Sequence, residues 1–183
     1  QKKSEGNILL SLIFYADGDF KSAQQAMKTV SLDLSEKIQK VSEHLQNAYE
    51  SLILDDTPAA KIHFEFVREL DKTILDPSLS GWTKKHVEKH LIDLLTEMGN
   101  QFFSQKDFAK AFEYYYQGIK INEENMTIKE QLKQLELMAE QWLLQIPIQS
   151  LENTDCEKLD LIQKITDEKS SVYQVAKRRF DSG

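Results

Sequence analysis

The stretch LTEMGNQFFSQKDFAKAFEYYYQGIKINEEN, residues 95–125, decides how this chain is read. Leading into it and through it, Val87, Leu91, Leu94, Met98 and Phe102 fall on one helical stripe, while Phe108, Ala111, Tyr115 and Ile119 fall on the next. Recurrence of apolar residues at three- and four-residue intervals is the mark of an amphipathic helix. The short polar break between the stripes then predicts an antiparallel helical hairpin. Gly99 and Ala111 are small where two helix backbones must come close, and Phe102, Phe108 and Tyr115 fill the space around that contact. Asp107 stands where it can cap the second helix.

Working outward, the same organisation recurs upstream. An apolar run over residues 8–16 breaks at Asp17-Gly18-Asp19 and resumes as an Ala-rich helix through Ala23, Ala26, Met27 and Val30. A third helix carries Ile38, Val41, Leu45, Ala48, Leu52 and Ile53 and stops at Asp55-Asp56-Thr57-Pro58, where Thr57 is expected to cap and Pro58 to open the next helix. That helix runs through Ile62, Phe66 and Leu70 and ends before Asp76-Pro77. Residues 77–82, with Gly81 and two serines, form the longest irregular connection and the expected joint. Downstream, Thr127-x-x-Glu130 and Thr154-x-x-Glu157 read as capping boxes opening two further helices, and a short last helix holds Val172, Val175, Ala176 and Phe180. Period-two alternation is nowhere sustained, so the expected fold class is all-α without a sheet.

The best hairpin resembles a tetratricopeptide repeat. The signature of that family is W-x2-L-G-x2-Y, then A-x3-F, then P over about 34 residues. Here Leu95, Met98, Gly99 and Phe102 are followed by Ala111 and Tyr115, with Glu123 in the place of the proline. Leu10, Ser11 and Phe14, followed by Asp19, Phe20, Ala23 and Met27, make a weaker copy with Asn7 in the first large position. A third matches through Ala60 and Phe64, and fits in its first half if Leu45, Ala48, Tyr49 and Leu52 are slid by one residue. The matched alanines are 37 residues apart from Ala23 to Ala60 and 51 apart from Ala60 to Ala111, so the array is irregular.

The resemblance spans residues 7–125. It implies a right-handed superhelix of antiparallel helix pairs, whose first helices line a concave groove that holds peptides or partner helices. Residues 1–76 would be degenerate hairpins, 77–82 the joint, 83–125 the best-formed repeat and 126–183 a helical extension or cap. Members of the family are scaffolds rather than enzymes. One subset grips the C-terminal carboxylate of chaperone peptides through groove Asn, Lys and Arg residues. Asn100 falls at such an Asn position, but Thr96 and Glu97 stand where cations would be expected, so a chaperone tail is not the expected ligand.

Composition bounds the partner. The chain has 183 residues with 23 Lys+Arg against 30 Asp+Glu, a net charge of -7, which opposes non-specific binding to phosphate backbones or anionic membranes. Its mean hydropathy of -0.50 suits a helical body with wide solvated faces. Nucleic acid is excluded as an expected partner, and so is membrane insertion, because no apolar run approaches the ~18 residues of a span. The start at Gln1 without Met suggests a domain of a longer chain, cytoplasmic or periplasmic. The single Cys156 cannot form an internal disulfide and has no base assigned to it. There is no Gly-rich phosphate loop, G-x-S-x-G elbow or CxxC pair, and neither an enzyme nor a cofactor is expected.

The candidate partner-binding residues form a polar line. His86, His90, Asp93, Glu97, Asn100 and Ser104 are spaced by four, three, four, three and four, one face of one helix, and Phe103 lies beside them. His86 and His90 at i and i+4 invite a zinc reading, but the metalloprotease H-E-x-x-H order is absent and Lys85 and Lys89 would repel a cation, so no metal is assigned. In the aromatic group, Phe112 and Tyr115 read as core, whereas Tyr114 and Tyr116 point elsewhere, to a neighbouring helix or a ligand. Trp82 and Trp142 read as packing residues. Lys177-Arg178-Arg179, at the end of the last helix, complements the helix dipole. The expected function is a non-enzymatic interaction module holding a peptide or helix of a partner protein. The alternative is a structural assembly or homo-oligomerisation domain of a larger complex, at a cell envelope for instance, working through its terminal helices.

Overall fold

The all-α expectation holds in a computed structural model, which describes residues 2–76, 78–79, 81–147 and 152–182. Among the described residues there are nine helices and no strand: α1 (Lys2–Ala16), α2 (Phe20–Met27), α3 (Leu32–Ile53), α4 (Thr57–Ile74), α5 (Trp82–Ser104), α6 (Phe108–Ile121), α7 (Met126–Gln145), α8 (Asn153–Lys164) and α9 (Ser171–Ser182). The chain divides into two compact units, residues 1–94 and 95–183, and the division falls inside α5. Between α4 and α5 the described residues Leu75, Asp76, Ser78, Leu79 and Gly81 are not helical, the expected joint's Pro77 and Ser80 lie outside the described residues, and Trp82 already belongs to α5.

In the first unit, two hairpins close through the same turn. After α1, Gly18 adopts φ 84°, its N–H donates to the Tyr15 carbonyl at 3.0 Å, and the Asp19 N–H donates to the Phe14 carbonyl at 2.9 Å. After α3, Asp55 adopts φ 58°, its N–H donates to the Leu52 carbonyl at 3.2 Å, and the Asp56 N–H donates to the Ser51 carbonyl at 2.9 Å. Both are Schellman closures, which use a left-handed residue to satisfy the last carbonyls of a helix. The Asp that follows then caps the next helix: the Asp19 carboxylate accepts from the Ser22 N–H and that of Asp56 from the Ala59 N–H, each at 3.1 Å.

The second unit repeats this turn. Lys106 adopts φ 63°, the Lys106 and Asp107 N–H groups donate to the Phe103 and Phe102 carbonyls at 3.0 Å, and the Asp107 carboxylate accepts from the Lys110 N–H at 3.2 Å. The three turns share one frame. Ser11, Ala48 and Gly99 each stand seven residues before the left-handed residue and twelve before a buried alanine, Ala23, Ala60 or Ala111. Four residues beyond those alanines, Met27, Phe64 and Tyr115 are fully buried. In this frame Ala48 matches Gly99 directly, while Leu45 and Leu52 stand one residue later than Leu95 and Phe102 do. Ala48 is fully buried, as Ser11 is at the matching place in the first hairpin.

Helix starts correct three sequence expectations. The N-cap of α4 is Asp56 rather than Thr57, although Pro58 does sit in the first turn. The N-cap of α7 is Asn125, whose side chain accepts from the Ile128 N–H at 2.9 Å, rather than Thr127. At α8 the capping box joins Glu152 and Asp155, with the Glu152 N–H donating to the Asp155 carboxylate at 3.1 Å, rather than Thr154 and Glu157. At α4 and α7 a capping-competent side chain, Asp56 or Asn125, comes earlier in the chain than the expected Thr, and the helix starts there.

The core of the second unit joins α7, α8 and α9 through Leu143, Leu159, Ile162, Ile165 and Val172, with Phe108, Phe112 and Trp142 packed against it. Trp142 is thus a packing residue, its ring 5.5 Å from that of Phe108. The Arg179 guanidinium donates to the carbonyls of Leu143 at 3.0 Å and Ile146 at 3.4 Å, so a member of the basic cluster caps the end of α7 from another helix.

Candidate partner-binding face

The residues of the α5 polar line differ in what holds them. In the first unit, His86 stacks on Trp82 with ring centroids 4.0 Å apart, and its Nδ1–H donates to the Trp82 carbonyl at 2.9 Å. His90 is stacked on Phe64 at 5.2 Å and meets the edge of Tyr49 at 5.4 Å. Burial among these rings holds its imidazole below the ordinary range, against the nearby Asp93 carboxylate, which favours the cation. Both histidines are half-buried and spend their faces on packing, whereas Asp93 is exposed.

In the second unit, Glu97, Asn100 and Ser104 are exposed on α5. Asn100 Oδ1 accepts a 2.8 Å hydrogen bond from the Tyr115 hydroxyl, which fixes the amide and presents its NH₂ outward. Ser104 donates to the carbonyl of Gln101 on its own helix at 2.7 Å. Phe103 is half-buried, edge-on to Phe108 at 5.4 Å. Glu97 is the charged member of this set.

Sequence reasoning missed two features. One is an open groove of about 440 Å³ in the second unit, lined by Phe112, Tyr116 and Ile119 of α6, Leu132 and Lys133 of α7, and Ile165. A neighbouring hollow of about 320 Å³ shares Phe112, Tyr116, Thr166 and Asp167 with it. Phe112 and Tyr116 stack at 5.4 Å and the Lys120 ammonium lies 4.4 Å from the Tyr116 ring centre, a cation–π contact. The one available signal was the aromatic pair at i and i+4. Tyr114, by contrast, stacks on Phe102 at 5.4 Å.

The second is a buried polar contact in the first unit, where the Tyr15 hydroxyl donates to Asp71 Oδ1 at 2.7 Å. Beside it lies a cleft of about 200 Å³ lined by Arg68, Lys72, Lys84 and Glu88. Among the described residues no group of three or more His, Cys, Asp or Glu side chains could hold a metal ion, and no helix is long and apolar enough to cross a membrane. Comparisons with protein-family models, curated proteins and solved structures find no match.

Proposed function

We propose that this chain is a non-enzymatic interaction module, a divergent tetratricopeptide-like scaffold that holds a peptide or helix of a partner protein. The observation that carries the reading is the recurrence of one hairpin, with a buried small residue at Ser11, Ala48 or Gly99 followed at fixed spacing by the same left-handed closure and Asp cap. Arrays of like hairpins gain stability from neighbour contacts and leave one helix face for partners. On that reading the partner meets the exposed side chains of α5. Glu97 and Ser104 are the members best suited to a test, since Asn100 also supports Tyr115 and substituting it would disturb the hairpin. Glu97→Lys with Ser104→Lys should weaken capture of the partner several-fold with helical circular dichroism unchanged.

A second reading, self-association through terminal helices, is favoured by α1, where Leu9, Leu10 and Ile13 are all exposed. Sedimentation equilibrium tests it. A concentration-dependent dimer that Leu10→Lys with Ile13→Lys abolishes supports assembly between copies of this chain, and a monomer at all concentrations contradicts it.

A further inference from the structure

His44 on α3 and His63 on α4 face each other across the second hairpin, with their Nδ1 atoms 3.0 Å apart. Both rings are half-buried, so they meet at the edge of the helix pair and not in its core. The His44 ring is stacked on Phe66 with centroids 3.9 Å apart. The contact is one N–H shared between two imidazoles, one ring donating and the other accepting. That hydrogen bond brings two imidazole nitrogen donors, from separate helices, side by side.

The separation matches a metal bite. Two metal–nitrogen bonds of about 2.0–2.1 Å put cis donors about 2.9 Å apart at a right angle and about 3.4 Å apart at the tetrahedral angle. We propose that His44 and His63 form a two-histidine site for a late first-row divalent cation, Ni²⁺, Cu²⁺ or Zn²⁺, which clips α3 to α4. Imidazole suits these ions, and the remaining coordination positions are filled by water. The donating ring moves its proton from Nδ1 to Nε2 by exchange with solvent, and each Nδ1 lone pair turns from its neighbour to the ion. No proton is released from the neutral pair, and the site gains the charge of the ion. Glu43 beside His44 favours that charge and Lys40 opposes it. With two protein donors the site is a weak one, filled at micromolar to millimolar ion.

The test uses the whole, tag-free chain after chelator treatment, with NiCl₂ or ZnCl₂ alone as the probe. Because an ion that binds only the folded state stabilises it by mass action, millimolar Ni²⁺ should raise Tm by several degrees. His44→Gln and His63→Gln should each remove that rise, while His86→Gln should keep it. No rise in the wild type, or the same rise in the His44 and His63 variants, overturns the proposal. Ring-nitrogen NMR of the wild type with Zn²⁺ decides the matter should a variant fail to fold. Selective shifts of the two Nδ1 signals of His44 and His63 are expected, and shifts confined to other histidines, or none, overturn it.

Discussion

The Tyr15 phenol donates a 2.7 Å hydrogen bond to the Asp71 carboxylate, tying α1 to α4 between residues 56 positions apart. Both side chains are buried. Burial and the adjacent carboxylate hold the phenol far above the ordinary tyrosine range, so it stays a donor at every pH the fold survives. Burial also raises the Asp71 carboxyl, opposed by the hydrogen bond itself.

Tyr15→Phe removes the donor and leaves a buried carboxylate short of a partner, which costs about 1–3 kcal/mol. Chemical denaturation of the two proteins at pH 7 measures this. Because the folded carboxyl is raised, its contribution to stability is largest at low pH and is lost as pH rises through the ordinary value near about 3.9 to the folded one. Asp71→Asn should flatten that part of the stability–pH curve.

Gly99 and Gly6 both sit inside helices, yet alanine should act oppositely at them. A Cβ on Gly99 would overlap the Tyr115 ring, whereas one on Gly6 meets nothing within 4 Å. Gly6→Ala should stabilise by about 0.5–1 kcal/mol through helix propensity alone. Gly99→Ala should destabilise by about 1–3 kcal/mol, because overpacking outweighs propensity. Thermal melts of both variants check the sign.

Lys106 holds a left-handed conformation, φ 63°, in the turn where Gly18 serves in the first hairpin. An L-residue with a Cβ is strained there by about 1–2 kcal/mol, part of which a glycine gives back in unfolded-state entropy. Lys106→Gly is expected to gain about 0.5–1 kcal/mol in denaturant titration, and Gly18→Ala to lose stability, since a Cβ there would also sit 2.9 Å from the Trp82 ring.

His90 is held neutral by burial among Phe64 and Tyr49. A histidine with a lowered folded pKa contributes fully above the ordinary value of about 6.5, and its contribution is lost as pH falls through that value towards the folded one. Stability should therefore decline between pH 7 and 5. His90→Phe, which keeps an aromatic ring between the same neighbours, should make that decline shallower in urea melts taken at several pH values.

The helical hairpins were legible because their signals are local: apolar residues at helical spacing, a break, an Asp. The position of Ala48 was less so, because Leu45 and Leu52 stand one residue out of the frame that Leu95 and Phe102 keep. The caps at Asp56 and Asn125 are of legible residue type, overshadowed by Thr motifs one or two residues on, whereas Glu152 is not a usual capping type. Tyr15 with Asp71, and the groove walled by Phe112, Tyr116, Leu132 and Ile165, join residues far apart in the chain and have no local signature. His44 and His63 fall between these cases. They face each other across the second hairpin, a pairing that no local spacing in the sequence supplies. Of the polar line on α5, the spacing placed Asp93, Glu97, Asn100 and Ser104 at the surface, while the packing of His86 and His90 depends on Trp82, Phe64 and Tyr49.

The most direct test of the proposed role is quantitative capture of a protein partner by the wild type, by Glu97→Lys with Ser104→Lys, and by Leu10→Lys with Ile13→Lys, at matched helical circular dichroism. A partner should be retained by the wild type and by the α1 variant and lost from the α5 variant. Capture unchanged by the α5 substitutions, or lost only with those in α1, would contradict that role.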